Sequence, residues 1–227
     1  MRTTSRVETE SLRLVLPNAE LAADLSVPND STGIVLFAHG SGSSRTSPRN
    51  RAVAEVLHAH RIGTLLFDLL TESEELIDES TRHLRFDIAF LAERLVAATE
   101  WIGTRAIVAH LPVGYFGAST GAAAALVAAA AMEPGAVRTI VSRGGRPDLA
   151  GAALPRVRAA TLLIVGGNDH EVIRLNESAY ARLNCKKELV LVDRATHLFE
   201  EPGTLEEVTR LAADWFDQNL ADSQGSS

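Results

Sequence analysis

The order of apolar and polar positions predicts strands alternating with helices. Leu12-Arg13-Leu14-Val15-Leu16 alternates, Pro17-Asn18 signals a turn, and the stretch from Glu20 to Val27 alternates again, so Val7 to Val27 reads as a β-hairpin. Continuous apolar runs follow at Gly33 to Ala38 (GIVLFA) and Gly63 to Leu70 (GTLLFDLL). Successive strand side chains point to opposite faces, so an unbroken apolar run suits a strand buried on both sides. Further strands are expected at Pro112 to Ala118, Ala136 to Ser142, Thr161 to Val165 and Glu188 to Val192. Helical spacing is read at Asn50 to His60, where Val53, Val56 and Leu57 share a face, and at Phe86 to Trp101. Helices are also read at Thr120 to Met132, Val172 to Leu183 and Thr204 to Asn219. Such alternation implies a mostly parallel sheet covered on both faces, with the antiparallel hairpin at one edge. Thr71 to Ser80 carries Glu72, Glu74, Glu75, Asp78 and Glu79 and reads as a solvated loop or short helix.

The 227 residues fit one α/β domain, 1–227, in which 1–6 and 221–227 are expected to fray. No internal repeat or linker divides it. Aromatic residues are only 5% of a chain that is 46% hydrophobic, so the core must be built from closely packed Ala, Val and Leu. A net charge of −7 argues against a nucleic-acid partner. Cys185 is the single cysteine, which precludes an intramolecular disulfide and is compatible with a reducing cytoplasm, the expected location. Met1 to Glu10 has no apolar stretch of the secretory kind. Gly121 to Met132 is too short to span a bilayer, so no membrane partner is expected.

The strongest chemical signal is Gly117-Ala118-Ser119-Thr120-Gly121, which fits G-x-S-x-G. An apolar strand precedes the serine and an alanine-rich helix follows it directly. That context makes Ser119 a candidate nucleophile on a sharp strand-to-helix turn. Gly117 and Gly121 would remove clashes at the turn, and the alanines after them would let the helix lie close to the sheet.

A serine hydroxyl needs a base. His197 lies between the last strand and the last helix, and Ser119 also follows a strand. Loops at the carboxyl ends of parallel strands meet over one crevice, so the two can meet. His110 precedes its strand, while His58, His60 and His83 fall on or beside helices. Asp169 follows the strand TLLIV and is the candidate to orient His197, with Asp193, Asp68 and Asp148 as rivals. The order Ser119, Asp169, His197 is that of the α/β-hydrolase triad. An oxyanion hole requires two backbone donors: Thr120 N–H, and Ser41 N–H from the loop His39-Gly40-Ser41-Gly42, with Gly42 the alternative. Nucleotide-binding glycine motifs are absent, and no His, Cys and carboxylate cluster has metal-ligand spacing, so neither metal nor cofactor is expected.

The segments FAHGSGSS, GYFGASTG, LLIVGGNDHEV and ATHLFEEPGTLEEV resemble dienelactone-hydrolase-related α/β-hydrolases, from about Gly33 to Phe216. The resemblance implies a twisted, mostly parallel eight-stranded sheet with helices on both faces and an esterase-like or lactonase-like activity. It carries the triad over to Ser119, Asp169 and His197, and the oxyanion loop to His39 through Gly42. Dienelactone hydrolases proper use cysteine at the elbow; Ser119 here points to a general small-molecule carboxylic ester instead. Arg143 to Ala160 is too short for a large cap, so an open site is expected. In the same loop, Arg143 or Arg146 could hold a substrate carboxylate, against a structural pairing of Arg146 with Asp148. Other acyl-transfer enzymes (amidase, thioesterase, acyltransferase) and a ligand-binding protein on this fold stay open, as do monomer and homodimer.

Overall fold

The computed structural model describes residues 7–220. Eight strands form one sheet: β1 Thr9–Leu16, β2 Ala19–Ser26, β3 Gly33–Ala38, β4 Ile62–Phe67, β5 Val113–Ala118, β6 Thr139–Arg143, β7 Ala160–Gly166 and β8 Lys187–Val192. Their order across the sheet is β1-β2-β4-β3-β5-β6-β7-β8. From β4 to β8 every pairing is parallel, and β2 runs antiparallel to both β1 and β4. The hairpin therefore forms one edge, as its alternating pattern predicts. β3 and β4 are buried at every position. No described helix is long and apolar enough to cross a membrane.

Alternate residues of the buried strands feed two cores. Leu36, Tyr115, Ile140 and Leu163 point to the face covered by α3 Ile88–Gly103, α4 Thr120–Ala131 and α5 His170–Arg182. Phe37, Phe116, Val141 and Ile164 point to the face covered by α1 Pro48–Ala59 and α6 Thr204–Leu220. α4 is alanine over most of its length and buried along it, which lets its backbone lie close to the central strands. Among the described residues no separate cap domain is present; the segment between β6 and β7 holds a 3₁₀ stretch, Pro147–Arg156, bent at Gly151.

The acidic stretch takes the helical of its two expected forms, and two local departures from the sequence reading have physical causes. The acidic stretch forms α2, Glu72–Thr81, because Thr71 and Glu74 make a reciprocal capping box at its start. Its Asp78 is buried rather than solvated, held by Arg85. β6 starts at Thr139, three residues later than expected, since Ala136 closes a turn on the Glu133 carbonyl.

Candidate active site

β5 ends at Ala118 and α4 begins at Thr120, leaving Ser119 alone at the junction. Its backbone takes φ 50° and ψ −121°, a conformation that strains any L-residue. Three hydrogen bonds hold it there. The Ser119 carbonyl accepts from Ala122 N–H and Arg146 N–H, both at 3.1 Å, and its own N–H donates to the Arg143 carbonyl at 3.4 Å. A side chain at Gly121 would strike the carbonyls of Ala38 and His39, and one at Gly117 the backbone of Ala122. The glycines are thus required by close approach of β3, β5 and α4.

Asp169 and His197 stand beyond the carboxyl ends of β7 and β8. The His197 Nδ1–H donates to Asp169 Oδ2 at 2.8 Å. Asp169 occupies the N-cap position of α5 but makes no capping bond, so its carboxylate is free for His197. Ser119 and His197 line one pocket of about 190 Å³, with Ser41, Arg49, Arg143 and Leu198 among its other walls. No hydrogen bond yet joins the serine to the imidazole; such contacts often tighten only in the substrate complex.

The rival carboxylates are engaged elsewhere. Asp68 accepts from Arg45 through both backbone and guanidinium. Asp148 takes a two-pronged bond from Arg146, at 2.9 and 2.8 Å. Asp193 is exposed and faces Arg194. Among the other histidines, His60 pairs with Asp217, His58 meets Thr64, and His83 and His170 are exposed. Cys185 lies beside Thr161 at the start of β7, at the opposite end of the sheet from Ser119.

The loop after β3 lies against the start of α4. The hydroxyls of Ser41 and Thr120 are 3.0 Å apart. Among the described backbone bonds, neither Ser41 N–H nor Thr120 N–H is engaged. A helix N-terminus leaves such donors free and favours negative charge. Gly42, at φ 68°, instead lines a small adjoining cavity with Arg85 and Asp78 and does not border the Ser119 pocket.

Two supports brace this loop. His39 is buried, and burial holds its pKa below the ordinary histidine value against the raising effects of the Gly40 carbonyl and Asp68. Its Nε2 accepts from Leu69 N–H at 3.1 Å, so Nδ1 carries the proton and donates to the Gly40 carbonyl at 3.0 Å. Asp78 accepts from Leu84 N–H and Arg85 N–H, and from the Arg85 guanidinium. Desolvation would raise the Asp78 carboxyl, but these bonds and the Arg85 charge outweigh it and hold its pKa down. The Arg85 carbonyl in turn receives the Ser41 hydroxyl at 3.3 Å.

The two arginines singled out in the sequence part company. Arg146 is spent on Asp148 and does not border the pocket. Arg143 ends β6, is 7% exposed and lines the pocket. Arg49, at the start of α1, also lines it and was not found by sequence reading: one arginine in a helical first turn carries no distinguishing pattern.

A crystal structure of a dienelactone hydrolase from Anabaena variabilis is 57% identical to this chain. It superposes with a TM-score of 0.92 over 94% of this chain and 99% of that one. The chain belongs to the dienelactone-hydrolase family of α/β-hydrolases. No family model matches it. The family's fold recurs in Est1E from Butyrivibrio proteoclasticus, at 15% identity and a TM-score of 0.75 over 92% of this chain and 98% of that one. Two Mycobacterium tuberculosis proteins, named as provisional phosphoribosyl transferases, are 56% identical over 211 residues. Those residues are 93% of this chain and 46% of each relative, so the chain spans about half the length of the curated relatives it matches.

Proposed function

We propose that this chain is a serine hydrolase that cleaves small carboxylic esters or lactones through an acyl-enzyme on Ser119. The observation that carries the reading is the Asp169–His197 hydrogen bond beside a serine held in elbow geometry at the same pocket. Membership of the dienelactone-hydrolase family supports it. The phosphoribosyl transferase name belongs to proteins about twice as long, and nothing in a Ser–His–Asp arrangement serves phosphoribosyl transfer.

In this mechanism Ser119 Oγ attacks the carbonyl carbon as its proton passes to His197 Nε2. The carbonyl oxygen becomes an oxyanion held by Ser41 N–H and Thr120 N–H. Collapse breaks the bond to the leaving alkoxide, which takes the proton from His197. A water then gives its proton to His197 and attacks the acyl carbon, and the second collapse returns the proton to Ser119. Asp169 fixes the Nδ1–H tautomer and stabilises the imidazolium. Each oxyanion donor is worth roughly 3 kcal/mol of barrier. The same steps serve thioesters, amides or acyl transfer to another nucleophile. The open site without a cap favours small or exposed esters and water as acceptor.

Labelling by a fluorophosphonate and turnover of short-chain nitrophenyl esters, on wild type and Ser119→Ala, test the reading. Both activities should vanish in the variant. Undiminished labelling and turnover would falsify the nucleophile assignment. A protein that binds ligand but neither labels nor turns over would be a binding protein on this fold.

A further inference from the structure

A buried guanidinium without a counter-charge is costly, so such a group normally has a carboxylate partner or shifts toward neutrality. Arg143 has no such partner: its side chain makes no ion pair or hydrogen bond with any described residue, and its Nε is sealed from solvent. Its nearest compensation is the Phe199 ring, with the centroid 5.9 Å away, at the outer reach of a cation–π contact. Burial, and then the charge of Arg49, lower its pKa to about 10, which leaves it cationic at neutral pH. Arg49 adds a second guanidinium to the same pocket; among the described residues its Nε is likewise unpartnered and its one ion pair is with the exposed Glu200 at 3.1 Å.

Hydroxyls complete the donor set. Ser43 and Ser47 border the pocket too. Ser47 accepts from Asn50 N–H as the cap of α1, so its own O–H can donate outward. Position then limits the ligand. Arg143 is the β6 register partner of Ala118, next to the nucleophile, and its carbonyl binds Ser119 N–H. Adjacent strands lie about 4.8 Å apart, so an anion here sits only a few bonds from a carbonyl at Ser119.

We infer that Arg143 and Arg49 form an anion subsite of the Ser119 pocket, and that the preferred substrate is an ester carrying a phosphate group on a short arm. Two guanidiniums and two hydroxyls match the charge and oxygen count of a phosphate better than those of a carboxylate. The substrate class rests on the serine-esterase reading; the subsite does not.

Three acetate esters form the kinetic test: those of 2-phosphoethanol, 3-hydroxypropionate and 2-methoxyethanol. Wild type should favour the phosphate ester over the neutral one by about tenfold or more in kcat/KM, and over the carboxylate ester by a smaller factor. Arg143→Met should collapse that ratio toward one, whereas Glu200→Gln, which frees Arg49, should raise it. Arg49→Met, in the half-buried first turn of α1, is the second variant should Arg143→Met fail to fold. Calorimetric binding of inorganic phosphate and acetate to Ser119→Ala reads the subsite without turnover. Phosphate should bind more tightly, and Arg143→Met in that background should weaken it about tenfold. Equal turnover of the three esters, preference for the carboxylate, or ratios indifferent to both arginines would overturn the substrate class. Phosphate binding unchanged by either substitution would overturn the subsite. Phosphate binding without fluorophosphonate labelling would retain the subsite and remove the esterase reading.

Discussion

Asp169 caps α5 by position yet gives its carboxylate to His197, 28 residues further along, at 2.8 Å. A capping aspartate ordinarily accepts from its own helix, so this one is diverted from a local bond to a distant one. Asp169→Asn keeps the size but cannot enforce the Nδ1–H tautomer. Ester turnover should fall by roughly 10³ to 10⁴ in kcat. The melting temperature should change little, because Asp169 makes no capping bond that the substitution could remove. Steady-state kinetics alongside thermal unfolding checks this, and a variant of near-wild-type activity would return the role to another carboxylate.

Gly144 ties the β6 loop to the same imidazole. It sits at φ 50°, and a side chain there would stand 3.0 Å from the His197 carbonyl and 3.6 Å from its ring. Gly144→Ala should cost about 1–2 kcal/mol through the left-handed backbone. It should also displace His197 and cut turnover. Gly135→Ala is the matched comparison, since its φ is 91° but open space surrounds it. Both should lower stability in denaturant titration, and only Gly144→Ala should lose activity beyond what unfolding explains.

Ser119 and Asp78 show what the sequence could and could not reveal. Periodicity located every strand of the sheet, the hairpin by its alternation and the parallel strands by short apolar runs set between helices. The G-x-S-x-G signal located Ser119 because close approach of backbones admits only glycine at 117 and 121. Strand-end position and chain order put Asp169 ahead of Asp68, Asp148 and Asp193 in the sequence, whereas the capture of Asp68 by Arg45, 23 residues away, leaves no linear pattern. Asp78 was hidden in a run of acids for the same reason. Only the reversal at Arg82, which takes a left-handed conformation, brings Arg85 back to it.

The Asp78–Arg85 pair should matter to catalysis through the loop it braces. Removing one partner of a buried ion pair strands the other, which costs roughly 3 kcal/mol. Asp78→Ala should therefore lower stability by about that amount. It should also loosen the Arg85 carbonyl that receives Ser41. If Ser41 N–H serves the oxyanion, the loss should fall on kcat more than on KM, because that donor acts mainly in the transition state. A stability loss with unchanged kcat would confine Asp78 to a structural role.

His39 should make the fold sensitive to acid. Its Nε2 accepts from Leu69 N–H, so protonation would turn two donors toward each other. Burial keeps its folded pKa below the ordinary 6.5. Below that value the unfolded chain takes up a proton that folded His39 refuses, so stability is full above about pH 6.5 and falls as pH drops toward the folded pKa. His58 shifts the same way, by burial opposed by Glu55. Urea unfolding at pH 7.5 and 5.5 should show less stability at the lower pH in wild type. His39→Gln should flatten that dependence, with the proton-accepting ring gone, and His58→Gln should flatten it less, as that ring is only half buried. An unaltered pH dependence in His39→Gln would place the proton uptake elsewhere and separate the bracing of the oxyanion loop from the acid sensitivity of the fold.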